Sequence, residues 1–161
     1  MTSGRAVWLF VATLAAVSAC ARDDAASIPK ELELGPHHIR VSAPAGWEVL
    51  DQGAHKRFRK GEADIVLRNL GQVDWETALA SLFDDQRREV KSRQSMTVDN
   101  HEALDVETWN RLDHAWPQRL LLVRADDDLL ALETTGRADD QTTKAFDSLR
   151  DSLHFTSSAR R

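Results

Sequence analysis

A serine followed three positions later by a lysine is the most suggestive catalytic pattern in this 161-residue chain: Ser27 and Lys30. Some acyl-transfer enzymes use a Ser-x-x-Lys pair in which the hydroxyl is the nucleophile. The companion motifs of those enzymes are absent, and so is a Gly-x-Ser-x-Gly elbow. The pair also lies in a polar segment that we expect to be a tether, where nothing would hold the two side chains together. The pattern therefore favours a chance match over a catalytic pair.

Histidine and aspartate residues form no recognisable metal motif. His37 and His38 are adjacent, and neighbouring residues of a strand point to opposite faces, so they cannot both bind one ion. Asp126–Asp128 begins like a calcium loop, but positions 130, 131 and 137 lack the ligand, the glycine and the glutamate of an EF-hand. A solvated hairpin turn is favoured there. The other histidines are scattered along the chain: His55, His101, His114 and His154.

The single cysteine, Cys20, follows a segment with the features of an export signal. Met1–Arg5 is a short basic start, and Ala6–Ala16 is an apolar run. The run is too short for a membrane span, which needs roughly 20 apolar residues. The two residues before Cys20 are small, as signal peptidases require. The stretch resembles the lipobox of bacterial lipoproteins, with Val17 where leucine is most common.

The lipobox resemblance implies cleavage before Cys20 and attachment of lipid to it; an ordinary secretory signal is the alternative. Lipidation would also remove the reactive thiol that a lone cysteine leaves in an exported protein. Each buried methylene contributes about 0.8 kcal/mol, so several acyl chains give a stable anchor. Ala21 follows instead of an aspartate, which favours the outer membrane. We therefore expect a lipid-anchored envelope protein that faces the periplasm, with residues 1–19 as its signal peptide.

The length, composition and charge of the chain are typical of one globular domain after the predicted signal peptide. The chain is 42% hydrophobic and 29% charged, with a net charge of −5. An acidic balance offers no electrostatic footprint for nucleic acid. A single cysteine excludes an internal disulfide, so packing must supply the stability. We expect residues 20–36 to be a tether, residues 37–155 to fold as a monomer, and residues 156–161 to form a tail.

Short alternating runs predict strands in the first part of the domain. HIRVSAP, residues 38–44, places Ile39 and Val41 on one face. A turn at Pro44–Trp47 leads into a second run, and a hairpin is predicted to turn at Lys60–Glu62. After residue 95, four further runs separated by short polar breaks predict an antiparallel meander. The apolar stretch Leu120–Val123 is typical of a strand covered on both faces.

Two helices are predicted between and after these strands. Asp74 suits the N-cap of the first, and apolar residues then fall close to one helical face: Trp75, Leu79, Leu82 and Val90. The basic cluster Arg87–Arg93 would lie at its C-terminal end, where cations complement the helix dipole; a partner site is the alternative. The second helix is predicted over residues 138–153, with Phe146, Leu149 and Leu153 on one face.

The order of three strands, a helix, four strands and a helix predicts an α+β sandwich around an antiparallel sheet. VSAPAGWEV, the helix after GQVDW, the strand pair QRLLLVRADDDLLALETTG and the ending AFDSLRDSLHF resemble the PsbP-like and DcrB-like family of α/β/α sandwich domains. The similarity covers residues 37–155. Members of that family include envelope lipoproteins, photosystem-associated proteins and chaperones of secreted effectors. The resemblance implies protein binding and transfers no catalytic residues.

A tryptophan in a polar loop is the best single candidate for binding. Trp116 lies in RLDHAWPQR, where packing does not demand a tryptophan. Basic neighbours give this loop the composition of an interface hot spot: Arg111, His114 and Arg119. The ring could also stack on a cell-wall sugar, or fold back over the sheet edge as a packing residue. Trp47 and Trp75 are expected in the core.

The sequence as a whole favours a non-enzymatic lipoprotein that binds a protein partner in the periplasm. An immunity or inhibitor protein that neutralises a toxin or a lysozyme is a specific form of this hypothesis. An enzyme acting on cell-wall material is the less favoured class, and two carboxylates converging in a cleft would support it. We expect no cofactor and no metal.

If Trp116 is a contact residue, Trp116→Ala should weaken partner binding by about thirtyfold, because truncating an aromatic anchor commonly costs 2 kcal/mol or more. Truncating a buried tryptophan instead costs about 3 to 5 kcal/mol of stability. Thermal unfolding and partner pull-down of both proteins separate the two cases. A large loss of stability with unchanged binding would make Trp116 a core residue.

Overall fold

The computed structural model describes residues 27–83, 87–112, 117–136 and 138–156 of the chain. Ten strands and two helices lie within these ranges. In chain order they are β1 (Ile28–Leu34), β2 (His37–Ala43), β3 (Glu48–Asp51), β4 (His55–Lys60), β5 (Ala63–Asn69), α1 (Trp75–Leu82), β6 (Arg88–Val98), β7 (His101–Asn110), β8 (Gln118–Ala125), β9 (Asp128–Thr135), α2 (Asp140–Ser152) and β10 (His154–Thr156).

Seven strands form one antiparallel sheet in the order β3-β4-β5-β9-β8-β7-β6. The predicted hairpin at Lys60–Glu62 and the predicted meander from β6 to β9 are both confirmed. The central strands β8 and β9 carry apolar side chains on both faces, and Leu121 lies opposite Leu132 in the register. Because Leu120 to Val123 are all buried, the sheet needs a covering layer on each side.

The inner face of this sheet is covered by a second, three-stranded sheet and by α2. The small sheet has the order β1-β2-β10. Ile39 of β2 and Phe146 of α2 are fully buried in the same apolar cluster as Phe58 and Ile65 of the large sheet. Asp139 caps α2 by accepting a hydrogen bond from the backbone N–H of Thr142. The predicted α+β sandwich is therefore confirmed.

The outer face is covered in part by α1. Ala78 and Leu79 are buried against Val106, Leu122 and Ala131 of the sheet. Asp74 is the predicted N-cap, and its side chain accepts a hydrogen bond from the backbone N–H of Thr77. The helix has eight residues and ends at Leu82, since Phe83 takes an extended conformation.

The predicted length of the first helix is wrong. Val90 does not belong to its apolar face, and the cluster Arg87–Arg93 does not lie at its C-terminal end. Arg88 to Val98 form β6 instead, which pairs with β7. The physical reason is the alternation at the end of this segment, where Met96 and Val98 point to the inner core. Pairing with β7 hydrogen-bonds the side of the β6 backbone that faces β7 along the whole segment, whereas Val90 alone supplies no apolar face for a helix.

The predicted tether does not extend to residue 36, because its last part forms a strand. Residues 28–34 form β1, whose partners in β2 run from Ala43 to His37. Leu32 and Leu34 are buried and alternate with exposed glutamates, which is the period of a half-buried strand. Five strands, not three, therefore precede α1, and the short strand β10 follows α2.

A hydrogen-bonded cluster joins the small sheet to the large one. His37 Nε2 lies 3.0 Å from Asp128 Oδ2, and Asn69 Nδ2 donates to the same oxygen at 2.8 Å. Gly35 has a φ of +64°, and a Cβ there would lie 3.1 Å from Asn69 Nδ2, so the turn between β1 and β2 requires glycine. The hydrogen bond from Asn69, followed by that from His37, holds the pKa of Asp128 below its usual value. Asp128 is therefore a linking residue rather than part of a solvated turn.

Asp128→Asn should lower the free energy of unfolding at pH 7 by about 1 to 2 kcal/mol, because hydrogen bonds to a charged acceptor are lost. The pKa of Asp128 is lower in the folded state, so its contribution is present above about pH 4 and is lost as the pH falls through the folded pKa. The difference between wild type and variant should shrink below pH 4 in urea unfolding. Asp127→Asn, at an exposed neighbour, should change stability by less than about 0.5 kcal/mol. Parallel curves for wild type and Asp128→Asn from pH 7 to pH 3 would contradict this role.

Candidate functional site

The residues proposed from sequence are not all within the described structure. Cys20, His114 and Trp116 lie outside the described residues, so their roles stay predictions. Arg111 lies in an exposed turn after β7, and its backbone N–H donates to the carbonyl of Arg87 at 2.9 Å. Arg119 lies in β8, and its side chain points to the inner face of the large sheet.

Arg119 takes part in an ion-pair network that fixes α2 on the sheet. Its Nη2 donates to Asp105 Oδ2 at 2.7 Å, and Arg150 Nη1 of α2 donates to the same oxygen at 3.2 Å. Asp147 of α2 lies within 3.6 Å of Arg119. The guanidinium carbon of Arg119 also lies 5.1 Å from the centre of the Phe146 ring. These contacts use the Arg119 side chain within the fold, so it supplies little free charge to a partner.

A groove on the outer face offers a better-defined binding surface. It lies between the first part of α1 and the strands β6 and β7, with a volume of about 250 Å³. The residues that line it are Trp75, Glu76, Arg93, Ser95, Glu102, Ala103 and Leu104. We call it the α1–β6 groove.

Trp75 forms the wall of the α1–β6 groove and is half-buried, so the expectation that it is a core residue is only partly met. It is the first residue of α1, directly after the Asp74 cap. The guanidinium carbon of Arg124 lies 4.9 Å from the centre of the Trp75 ring, and Arg124 Nη1 donates to the Val73 carbonyl at 2.9 Å. The guanidinium of Arg124 therefore fixes the position of the indole, as expected for a site that is formed before a ligand binds. Trp47, by contrast, is buried as predicted.

Opposite charges meet at the rim of the α1–β6 groove. Arg93 Nη1 of β6 donates to Glu76 Oε1 of α1 at 3.0 Å. The side chains are 41% and 75% exposed, so water screens this pair, and such pairs contribute about 0.2 to 1 kcal/mol. Glu102 is a second exposed carboxylate in the groove. The side chains that line the groove include two carboxylates and one guanidinium, and Arg124 lies behind the Trp75 ring, so the lining itself is acidic and favours a cationic group.

Glu76 and Glu102 bear on the enzyme hypothesis, since they are two carboxylates in one cleft. A general acid of a glycosidase needs a desolvated carboxyl. Glu76 lies mostly in water and is held by Arg93, which is the environment of a binding group. The pair therefore suits recognition of a cation better than proton transfer.

A second charged cluster lies on the outer face over β4, β5 and β9. Arg59 Nε donates to Asp64 Oδ1 at 2.8 Å, and Arg68 donates to Glu133. Burial raises the pKa of Glu133, and the Arg68 guanidinium offsets this only in part. Each carboxylate here is paired with an arginine, so the cluster covers the outer face of these strands and offers no unpaired carboxylate to a ligand.

Within the described ranges, no group of three or more histidine, cysteine, aspartate or glutamate side chains is placed to hold a metal ion. The described helices are also too short or too polar to cross a membrane.

The comparisons with known proteins identify the fold. No protein-family model and no curated protein matches the chain in sequence. The solution structure of cyanobacterial PsbP (CyanoP) from Synechocystis sp. PCC 6803 matches with a TM-score of 0.57 at 14% identity, over 87% of this chain and 99% of that chain. The crystal structure of LpqN, involved in cell envelope biogenesis of Mycobacterium tuberculosis, matches with a TM-score of 0.51 at 13% identity, over 82% and 91%.

These similarities confirm the predicted PsbP-like sandwich. At 13% and 14% identity they show a shared fold and transfer no site residues. Sequence reasoning missed the α1–β6 groove, although one signal was present: a tryptophan and a glutamate directly after the helix cap.

Arg119→Met should lower the free energy of unfolding by about 2 kcal/mol, since a part-buried charge pair is broken while the stem over Phe146 is kept. Urea unfolding followed by tryptophan fluorescence measures the change. Arg111→Met is the matched control at an exposed position and should change stability by less than about 0.5 kcal/mol. If Arg119→Met were neutral for stability and weakened partner binding, Arg119 would be a contact residue after all.

Proposed function

We propose that the protein is a non-enzymatic, lipid-anchored protein of the bacterial envelope that binds a protein partner in the periplasm. The observation that carries this proposal is the lipobox-like segment ending at Cys20, followed directly by a domain with the PsbP-like fold. LpqN, which is described as involved in cell envelope biogenesis, has the same fold. The outer membrane is the proposed location, because Ala21 rather than an aspartate follows the cysteine.

The position of β1 limits how far the domain can lie from its anchor. Cys20 and Ile28 are separated by the seven residues 21–27. Even fully extended, this connection spans at most about 25 to 30 Å. The start of β1 would therefore lie close to the membrane surface, and partners would reach the domain from the periplasm.

The described side chains support binding over catalysis. None of the described histidine side chains hydrogen-bonds to a hydroxyl; His37 bonds to Asp128, His55 to Gln52 and His101 to the Arg124 carbonyl. The α1–β6 groove holds an aromatic wall and exposed charges. A rigid aromatic beside charged groups is the composition of a protein-binding surface.

Cys20→Ser should abolish palmitate labelling and leave the precursor uncleaved, because the lipid is attached to the thiol and processing depends on it. Metabolic labelling with palmitate and the intact mass of the protein measure both effects. Val17→Leu is the control, since leucine is common at that position and labelling should persist. Palmitate on the Cys20→Ser protein would contradict the lipoprotein assignment.

The partner is tested in the same cells. A tagged wild-type chain, crosslinked in intact cells and purified from membranes, should capture one protein in comparable amount. The same tag on an unrelated lipoprotein is the control. If the two captures contain the same proteins, the partner-binding function is not supported.

A further inference from the structure

β6 is the edge strand next to the α1–β6 groove, and no described strand pairs with the edge that faces away from β7. Among the described strands it pairs only with β7. All residues from Glu89 to Ser95 are exposed. Such an edge presents unpaired backbone N–H and C=O groups, which can accept a further strand.

The first half of β6 is protected against strand addition and the second half is not. The register shifts between Val90 and Ser92, so a bulge lies at Lys91. Lys91 Nζ donates to Glu107 Oε1 at 2.8 Å and lies 5.2 Å from the centre of the Trp109 ring. A bulge and a lysine are the usual devices that block edge pairing. From Ser92 to Val98 the pairing with β7 is regular, so this half suits an added strand.

The register shows where the side chains of an added strand would point. Arg93 lies opposite Val106, Ser95 opposite Leu104, and Thr97 opposite Glu102, all on the outer face. Because side chains at alternate positions of a strand share one face, every second residue of an added strand would lie on the outer face, and the one beside Arg93 and Ser95 would lie next to the α1–β6 groove. Main-chain hydrogen bonds would then give affinity, and the groove would give specificity.

The groove selects for a long basic side chain. Trp75 and Leu104 offer an apolar surface for the methylene stem, as lysine and arginine stems require. Glu102 and Glu76 offer carboxylates for the head group. Glu76 is held by Arg93 only through an exposed pair, so an incoming cation can share it at little cost.

We propose that Ser92–Val98 of β6 binds an extended segment of the partner protein as an added strand, with a lysine or arginine of that segment in the α1–β6 groove. This inference rests on the proposed protein-binding function and names its surface and the chemistry of its partner. The acidic net charge of the chain, −5, favours the same kind of segment.

Synthetic peptides test this surface. The probe is a dye-labelled seven-residue peptide of alternating threonine and lysine, with capped ends, and the control peptide has glutamate in place of each lysine. Fluorescence anisotropy with the full chain, purified from cells in mild detergent, measures affinity. We expect the lysine peptide to bind at least tenfold more tightly. Hydrogen exchange should show new protection of β6 amides within residues 92–98.

Glu102→Lys should weaken binding of the lysine peptide at least tenfold, because an attractive charge becomes a repulsive one. Glu62→Lys is the matched control: it makes the same charge change at an exposed turn between β4 and β5 and should alter affinity by less than twofold. Equal losses in the two variants would show a non-specific charge effect and overturn the assignment. Equal binding of both peptides, or protection outside β6, would overturn it as well.

The crosslinked partner distinguishes this inference from the proposed function. Crosslinks from the partner to β6 or α1 support both. A partner crosslinked through another surface, or a β6–β6 contact between two copies of the chain, overturns the β6 assignment. If the partner crosslinks through another surface, the proposed protein-binding function is still supported. Peptide binding at β6 without any captured protein partner would instead leave this site in place and count against the proposed function.

Discussion

The need to cover both faces of β8 and β9 determines the rest of this structure. Leu120 to Val123 point alternately to the two faces and are all buried, so a layer must lie on each side. On the inner side, α2 and the small sheet do this completely, with Phe146 and Ile39 in the shared core. On the outer side, α1 has eight residues and is about 12 Å long, whereas seven strands span about 29 Å. The short helix therefore leaves two parts of the outer face uncovered: the charged cluster over β4, β5 and β9, and the α1–β6 groove over β6 and β7.

Most of the fold follows from local patterns that the sequence displays. The β4–β5 hairpin, the β6–β9 meander and α2 were predicted because their turns and apolar periods agree with their environment. The sequence does not predict β1, because the prolines and charged residues around Leu32 and Leu34 are typical of a tether; the apolar alternation becomes significant only through pairing with β2. The prediction of helix at the start of β6 is wrong because Val90 fits a helical spacing by chance, while the strand that pairs with this segment, β7, lies further along the chain.

The site was less predictable than the fold, because it depends on contacts between distant residues. The α1–β6 groove forms where Trp75 of α1 lies beside Leu104 of β7 and Arg93 of β6. A prediction that extends α1 through Val90 places Arg93 at the end of the helix, so it cannot bring these three residues together. Arg119 looked like a loop cation in sequence, yet its strand position turns it towards Asp105 and α2. A basic residue near a loop is ambiguous until the strand register shows which face its side chain occupies.

The α1–β6 groove can bind a ligand without changing shape, because the contacts that position Trp75 do not include Glu76 or Glu102, the carboxylates that would bind the ligand. The Asp74 cap and the contact between Arg124 and Trp75 hold the start of α1 in place. The Arg93–Glu76 pair adds little stability, since both side chains lie largely in water. A ligand cation can therefore replace or share that pair without moving the helix, and little binding energy is spent on rearrangement. The α1–β6 groove thus combines a fixed aromatic side chain with an exposed ion pair that a ligand can displace. The ion pairs of Arg119 and Glu133 are more buried and hold the fold together, so they are less available to a ligand.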